Sequence, residues 1–337
     1  MTQSKQARDP AATVVVGEGD FRYSPDLSWG TLPDGWTLGD VAGVAVDSRG
    51  RVYAFNRGEH PLVVFDASGE FQESLREDLF RHPHAIQVAP DDSLLCTDDI
   101  DHTVRWLEPS GEVRLQLGKP GRHSEFMSGK PFCRCTDVAL GPDGSLYVSD
   151  GYGNARVHQY SPTGKLVRSW GGPGAGPGEF NVPHNIGCDA TGYVYVADRE
   201  NHRIQVFSHD GDVVDIWQGF HRPSALFVDD AAGHVYVGEI GPYYAHNRGT
   251  PNLGPRITVT DMSGRVLGRV QGDPAAGIGP DQFLSPHAIA KDSAGSLFVG
   301  EVSSAAWPML FPQTPEPSMP RLRKLVSLRT TETTSRT

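Results

Sequence analysis

Three Pro-His dipeptides occupy the same place in three copies of one internal repeat, the second, fourth and sixth of six copies. They are Pro83-His84, Pro183-His184 and Pro286-His287. In a closed ring of six repeats, alternate repeats lie about 120° apart, so one histidine from each would reach the central axis. Three imidazoles around an open position are the ligand set of a catalytic divalent metal, not of a closed structural site. The sequence therefore predicts a metal centre at His84, His184 and His287.

The repeat itself predicts the ring that positions these histidines. Its copies are spaced 40 to 63 residues apart, and each contains several short, alternating apolar strands between Gly, Asp and Pro turns. This spacing is typical of β-propeller blades, and no sustained helical periodicity interrupts it. We predict an all-β fold, a six-bladed β-propeller over residues 12–327 that forms a single domain. The anchors of the six copies begin at Gly43, His84, Asp137, His184, Ser224 and His287.

The two ends of the chain carry further expectations. The sixth repeat lacks a fourth strand of its own, and the run Thr13-Val14-Val15-Val16 could supply it and close the ring. The polar segments 1–11 and 328–337 are predicted to be flexible. The N-terminus has no apolar signal core and no span approaches 18 apolar residues, so we expect a cytoplasmic protein without membrane contact.

Composition excludes some classes of partner. The formal net charge is −11 and there is no basic stripe, which argues against nucleic-acid binding. Four cysteines in 337 residues do not make a disulfide scaffold. No feature of the sequence indicates an oligomeric state.

Blade geometry predicts which other residues share a face with the histidines. The start of the first strand and the loop between the second and third strands lie on the same face, which brings Arg57, Tyr152 and Arg199 towards the histidines. A phenol that can move a proton and two guanidiniums that can bind anions would suit an enzyme. Tyr152 and Arg199 lie within repeat phrases and could be structural, and Arg57 could be a solvated charge. Asp137 occupies the corresponding place in repeat three and could be a further ligand or a hydrogen-bond partner of one.

Two long insertions enter the same face, at about 241–255 in repeat five and 306–320 in repeat six. Their aromatic content favours ordered loops that roof a pocket for a bulky or apolar substrate. The candidate pocket residues are Asp137, Tyr243, Tyr244, Arg248, Ser285, Trp307, Met309 and Phe311.

The phrases at 150–156 and 196–205 are typical of NHL-repeat propellers. Together with Phe132-Cys133, 136–139 and 182–184, they resemble the peptidyl-α-hydroxyglycine α-amidating lyase family. The resemblance implies a six-bladed ring with zinc on three histidines, which match His84, His184 and His287. It also implies a catalytic tyrosine matching Tyr152, and arginines matching Arg57 and Arg199. The family splits an N-α-hydroxyglycine into an amide and glyoxylate.

The resemblance also implies roles. Zinc, or another divalent transition metal, would polarise the oxygens of a small or peptide-like substrate. Tyr152 would remove the hydroxyl proton as the C–N bond breaks, Arg57 would bind the carboxylate and Arg199 would stabilise the phenolate.

Three departures from the family pattern suggest a changed substrate. Gly153 stands where the family has a cysteine, so Cys133 loses its disulfide partner, and Ser285 replaces a methionine. Ala288 replaces the acidic residue that the family uses for calcium, and we do not predict calcium there. Two alternatives stay open. A lactonase-like hydrolase would use carboxylate and Asn ligands, against which the three imidazoles argue. A non-catalytic NHL-repeat scaffold would present its loops to a protein partner.

Overall fold

The computed structural model describes residues 14–329, which form six antiparallel sheets of four strands each. The first three blades are β2 (Val41–Val46), β3 (Val52–Asn56), β4 (Leu62–Phe65) and β5 (Phe71–Ser74); β6 (Pro83–Val88), β7 (Leu94–Asp98), β8 (Thr103–Leu107) and β9 (Val113–Gly118); and β10 (Asp137–Leu140), β11 (Leu146–Asp150), β12 (Arg156–Tyr160) and β13 (Leu166–Trp170). Blades four to six are β14 (Pro183–Cys188), β15 (Val194–Asp198), β16 (Arg203–Phe207) and β17 (Val213–Trp217); β18 (Pro223–Asp229), β19 (His234–Glu239), β20 (Arg256–Asp261) and β21 (Val266–Val270); and β22 (Pro286–Lys291), β23 (Leu297–Glu301) and β24 (Leu322–Ser327), joined by β1 (Tyr23–Asp26). The predicted six-bladed propeller is confirmed.

The turn between the first two strands of a blade is set by a short local pattern. In blade one, the Asp47 carboxylate accepts hydrogen bonds from the backbone N–H groups of Arg49 and Arg51, at 3.0 and 2.8 Å. Gly50 follows with a φ of 80°, which a residue with a Cβ rarely adopts. Asp189 and Gly192 repeat this arrangement in blade four. These turns start each blade with a tight hairpin.

The hydrophobic core lies between the blades, in six separate clusters. Each cluster combines side chains from two neighbouring sheets, as where Phe55 of blade one packs in one cluster with Ile86 and Leu94 of blade two. The cluster between blades six and one contains Phe298 and Val41, and it joins the two ends of the repeat array. Burial between faces explains why the strands are apolar on both sides.

The ring closes through an N-terminal strand, as expected, but a different one. Strand β1 (Tyr23–Asp26) pairs with β24, with Tyr23 opposite Ser327. Of the predicted run, Thr13 lies outside the described residues, and Val16 makes only an isolated bridge to Tyr23. Because of Pro25, the sequence of β1 does not look like a strand. Proline is nevertheless tolerated on an outermost strand, where one side of the strand has no neighbour that would need an N–H donor. Residues 1–11 also lie outside the described part, as does the C-terminal segment beyond Arg329.

In the described part of the chain, one α-helix and a short 3₁₀ helix (Arg199–Asn201) depart from the all-strand pattern. Helix α1 (Ser303–Leu310) stands in the insertion of blade six and contains Pro308. Its first N–H groups are capped from blade one, since the Asp40 carboxylate accepts from Ser304 N at 2.8 Å and from Ala305 N at 3.3 Å. Because the cap comes from a distant part of the chain, eight residues of local sequence do not reveal it. Within 14–329, no helix is long and apolar enough to cross a membrane.

Candidate metal centre

A β-bulge near the start of the innermost strand turns one side chain of a blade towards the axis. In blade two the register shifts between Pro83 and Ala85, so that His84 is the extra residue. Such a bulge re-aims a side chain that regular pairing would leave on a sheet face. Register shifts occur at the same place in blades one, four, five and six. We call this place the axial position; its occupants are Ala42, His84, Thr136, His184, Ser224 and His287.

A buried acid at the end of the second strand fixes the backbone that leads into each bulge in the even blades. Asp98 accepts from Arg81 N at 2.6 Å, and Asp198 accepts from Asn181 N at 2.7 Å. Glu301 accepts from Leu284 N and Ser285 N, at 2.6 and 3.0 Å. These carboxylates are fully buried, and they satisfy N–H groups that no strand pairs. Asp150 and Glu239 accept the corresponding N–H groups in blades three and five, so the repeated acids support the backbone of this position in blades with and without a histidine.

His84, His184 and His287 form a nearly equilateral triangle on the axis. Their ring centroids are 4.9, 4.9 and 4.7 Å apart, and one nitrogen from each ring lies within 4.8 Å of the others. Each Nδ1 donates to a backbone carbonyl of the following odd blade, in order Thr136 O at 2.5 Å, Ser224 O at 2.9 Å and Ala42 O at 2.8 Å. The acceptors occupy the axial positions of the odd blades. This pattern places the proton on Nδ1 and leaves Nε2 as the coordinating atom.

Burial keeps these imidazoles neutral. It lowers the pKa of His287 to about 3, with a further contribution from the Arg57 cation. The pKa of His84 is held well below its usual range by burial and then by its two histidine neighbours, and that of His184 by burial and then by Arg199. Neutral imidazole is the form that binds a metal, so three histidines that could hold a metal ion are present.

Tyr152 reaches the same triangle from the loop after β11. Its hydroxyl lies 3.0 Å from His84 Nε2 and 3.0 Å from His184 Nε2. The side chain is half-buried, and its backbone N–H donates to Arg134 O at 3.3 Å. A phenol oxygen thus lies beside the atoms that would coordinate a metal, which is where a proton-transferring group would be needed.

Arg199 and Arg57 also reach this region. The Arg199 guanidinium carbon lies 5.5 Å from the Tyr152 ring centroid, and its Nε donates to Glu200 Oε1 at 2.8 Å. Burial lowers the pKa of Arg199, but its interactions with Tyr152 and Glu200 outweigh burial and raise it overall. Arg57 donates from Nε to Pro83 O at 3.1 Å, directly before His84. The structure therefore brings the three predicted catalytic residues to the histidines.

Sequence analysis missed Arg134, whose guanidinium lies closer to the centre of the Tyr152 ring than that of Arg199 does. Its guanidinium carbon is 4.7 Å from the tyrosine ring centroid. Its Nε and Nη2 donate to Asp99 Oδ2, at 3.0 and 2.5 Å, and the other oxygen of Asp99 pairs with His82. Extending the repeat alignment upstream would have drawn attention to Arg134, because Arg222 occupies the same place in blade five, two residues before the axial position.

Asp137 lies one residue past the axial position, contrary to the sequence alignment, which equated it with the histidines. Thr136 is the equivalent residue, so the Asp137 carboxylate does not join the histidine cluster. It accepts from Asn185 Nδ2 at 2.9 Å and Ile186 N at 3.1 Å, while Asn185 Oδ1 is 3.0 Å from His184 Nδ1. Burial, opposed by these hydrogen bonds, raises the pKa of Asp137 to about 7. It lines an axial cavity of about 440 Å³ along the innermost strands.

The candidate pocket residues of the two insertions divide into two groups. Tyr243 donates to Ser285 Oγ at 3.3 Å, and Arg248 Nη2 donates to Tyr243 O at 3.0 Å. Tyr243 and Phe311 pack against a small core that contains Trp307, so this part of the insertions is ordered around α1. By contrast, Tyr244 and Met309 are 70% and 51% exposed. The structure therefore does not gather all eight residues into one pocket.

Comparison with known proteins agrees with this architecture. The NHL repeat family model matches residues 132–160 and 180–207, within blades three and four. Two solved propellers show the same fold: a streptogramin B lyase (TM-score 0.57, 12% identity, 86% of this chain and 95% of that chain) and virginiamycin B lyase from Staphylococcus aureus (TM-score 0.54, 15% identity, 79% of each chain). The protein is an NHL-repeat six-bladed β-propeller.

Proteins that are similar in sequence show which propellers this chain is related to. Rat peptidylglycine alpha-amidating monooxygenase is 29% identical, over 86% of this chain and 32% of the relative. Peptidyl-alpha-hydroxyglycine alpha-amidating lyase 1 of Drosophila melanogaster is 29% identical, over 79% and 56%. Human NHL repeat-containing protein 3 is 28% identical, over 84% and 82%. The chain spans about a third of the length of the amidating monooxygenases that it matches. The family resemblance is confirmed: the chain is a homologue of the amidating lyases.

Proposed function

We propose that this protein is a zinc-dependent carbon–nitrogen lyase that splits an N-acyl-α-hydroxyglycine into an amide and glyoxylate. The observation that carries the proposal is the Tyr152 hydroxyl, 3.0 Å from two of the three imidazoles. A purely structural tyrosine has no need of this position. The names of the relatives in rat and Drosophila support the reaction class.

The donor set fits a catalytic divalent metal. His84, His184 and His287 would hold it, since each offers a neutral Nε2 and has its Nδ1 fixed by a carbonyl. Three nitrogen ligands leave a coordination position open for substrate. When bound, zinc would act as a Lewis acid that withdraws electron density from the substrate oxygens.

The side chains of the chain account for the proton and the charges. Tyr152, as the phenolate, would take the proton of the substrate hydroxyl. That oxygen then forms the aldehyde C=O of glyoxylate while the C–N bond breaks, and Tyr152 returns the proton to the leaving amide nitrogen, which restores the phenolate. Arg199 faces the tyrosine ring and would stabilise its negative charge, whereas Arg57, which donates to the carbonyl directly before His84, would bind the glyoxylate carboxylate.

Human NHL repeat-containing protein 3, whose name states no reaction, matches this chain over most of both lengths, and we therefore keep a second candidate, a propeller without catalytic activity. The two proposals differ in what the axial histidines must do. A scaffold needs no metal and no proton-transferring tyrosine, so metal content and turnover separate the two.

The deciding experiment measures bound zinc and turnover on the same preparations. Inductively coupled plasma mass spectrometry should find about one zinc per chain, and N-benzoyl-α-hydroxyglycine should release glyoxylate. A His84→Ala, His184→Ala, His287→Ala variant should lose both. His209→Ala is the matched control, because His209 is 66% exposed and forms an exposed ion pair with Asp210. Protein that is offered zinc, binds none and shows no turnover would leave the scaffold as the surviving proposal.

A further inference from the structure

The surroundings of Tyr152 contain more cations than internal ion pairs use. The region holds four guanidiniums, and two carboxylates, Asp99 and Glu200, pair with three of them. Arg57 has no carboxylate within ion-pair distance in the described residues 14–329, and Asp99 also pairs with His82. In a chain with a formal net charge of −11, this local surplus runs against the overall field. The four guanidiniums belong to Arg57, Arg134, Arg199 and Arg222.

Arg134 is the member of this group that is both rigid and accessible. Its backbone has a φ of 63°, and its N–H donates to His102 Nδ1 at 3.0 Å. The hydrogen bonds to Asp99 occupy Nε and Nη2, while Nη1 has no acceptor among the described residues. The side chain is 45% exposed, although Asp99 is fully buried. One edge of a fixed guanidinium therefore faces solvent beside the Tyr152 ring.

Arg222 shows what the same arrangement looks like without an open edge. It has a φ of 56°, its N–H donates to His202 Nδ1, and its Nε and Nη2 donate to Glu200 at 3.1 and 2.9 Å. Its guanidinium carbon lies 4.6 Å from the Tyr243 ring centroid. The side chain is only 16% exposed. The geometry that Arg134 and Arg222 share supports the fold. The exposed guanidinium edge of Arg134 is not part of that shared geometry.

We propose that Arg134 binds a second anionic group on the substrate, so that the preferred substrate carries a carboxylate on its acyl part. The proposal rests on the proposed lyase function. Arg57, in blade one, would bind the hydroxyglycine carboxylate. The acyl part then extends away from blade one, across Tyr152, to Arg134 at the start of blade three. A planar guanidinium with a free edge is suited to a carboxylate.

A matched pair of substrates tests the proposal. N-succinyl-α-hydroxyglycine carries the second carboxylate, and N-succinamyl-α-hydroxyglycine replaces it with a neutral amide of the same size. The wild-type kcat/KM for glyoxylate release should favour the anionic compound about tenfold or more, as expected for a charge-assisted hydrogen bond. Arg134→Gln should bring the ratio close to one, Arg134→Lys should restore part of it, and Arg222→Gln should keep the wild-type ratio.

Equal rates for the two compounds in the wild type would overturn the proposal, as would a wild-type ratio in Arg134→Gln. If neither compound nor N-benzoyl-α-hydroxyglycine turns over, the lyase proposal fails, and calorimetric binding of N-succinylglycine against N-succinamylglycine still tests the anion site. Tighter binding of the dianion that Arg134→Gln abolishes would support the site, and equal affinity would refute it. Melting curves of both glutamine variants establish that the comparison is made on folded protein.

Discussion

The junction between blades two and three and the junction between blades four and five are built alike and end differently. In each, a histidine with a left-handed backbone conformation (His102 or His202) accepts a hydrogen bond from the backbone N–H of an arginine. The guanidinium of that arginine lies over a tyrosine ring. At the first junction the tyrosine is Tyr152, whose hydroxyl meets the axial histidines. At the second it is Tyr243, which bonds Ser285 and packs beneath the insertions.

The difference shows that a repeated structural device can become part of a site through the direction of a single side chain. The arginine, its acid and its histidine are needed at both junctions to join an odd blade to the preceding even one. Only at the first junction does the aromatic partner reach the axis, and only there is the arginine half-exposed. Three predictions test how far the two junctions differ, and a fourth extends the comparison to the junction between blades six and one.

The largest expected effect concerns the two tyrosines. Tyr152→Phe should lower kcat for N-benzoyl-α-hydroxyglycine by about 10²- to 10⁴-fold, because it removes the proton-transferring group. Its zinc content should stay at the wild-type level. Tyr243→Phe removes one long hydrogen bond to Ser285, and kcat for the same substrate should fall by less than about tenfold. Glyoxylate release measures both variants; equal losses would mean that the junctions contribute to the reaction in the same way.

The two acids should differ in their contribution to stability. The pKa of Asp99 is lowered overall, since His82 and Arg134 outweigh the opposing effect of burial. An acid whose folded pKa is depressed stabilises the fold above its unfolded pKa and loses that contribution as pH falls through the folded pKa. Asp99→Asn should therefore cost about 3 kcal/mol at neutral pH, and the difference from wild type should shrink below about pH 4.

Glu200→Gln is the matched change at the second junction. Because Glu200 is 28% exposed, its loss should cost less, about 1 to 2 kcal/mol. Urea unfolding at several pH values, at a fixed free zinc concentration, gives both free energies. A pH-independent difference between wild type and Asp99→Asn would contradict the assignment.

The axial histidines of the two junctions also differ. His184 Nδ1 has a second acceptor, Asn185 Oδ1 at 3.0 Å, whereas Ala85 follows His84. Asn185→Ala should weaken zinc binding about tenfold, because partners of ligand histidines orient the ring. Competition with a chelating dye measures the dissociation constant. An unchanged constant would show that the Ser224 carbonyl alone is sufficient, as the Thr136 carbonyl must be for His84.

The smallest effect is expected at the third junction, between blades six and one, where Asp40 caps α1 and pairs with Arg321 at 2.5 Å. Asp40→Ala should lower the free energy of unfolding by about 1 kcal/mol through loss of the cap. Glu316→Ala removes the exposed partner of the same arginine together with an exposed hydrogen bond from Ser304 Oγ at 2.7 Å, leaves the Asp40 cap in place, and should cost less than about 0.5 kcal/mol. Calorimetric melting distinguishes the two; equal shifts would mean that the cap contributes nothing.

Sequence predicted the elements whose determinants are local. The blade period, the turns and the Pro-His dipeptides are short patterns. They were sufficient to predict the six sheets and the convergence of His84, His184 and His287. The placement of Tyr152 and Arg199 followed from blade geometry, since chain direction alternates between strands. The one-residue shift at Asp137 was missed because the bulge, visible only in the pairing register, decides which residue faces the axis.

The remaining features depend on contacts between blades. Arg134 and Arg222 have similar surroundings in the sequence, and only the exposure of the folded side chains separates them. Helix α1 depends on a cap from Asp40, more than 260 residues away. Strand β1 depends on an outer edge that tolerates Pro25. No local pattern encodes these partners, so periodicity could not predict them.

The alternation of imidazole and carbonyl around the axis imposes a parity rule on the ring. Each histidine is followed by a blade whose axial residue is not a ligand and whose carbonyl accepts the Nδ1 proton, and this alternation closes on itself only when the number of blades is even. A ring that gained or lost one blade would place two ligands, or two acceptors, side by side. Gene rearrangements that duplicate or delete a single blade should therefore abolish the centre, whereas a circular permutation at a blade boundary, which keeps all six in order, should preserve it.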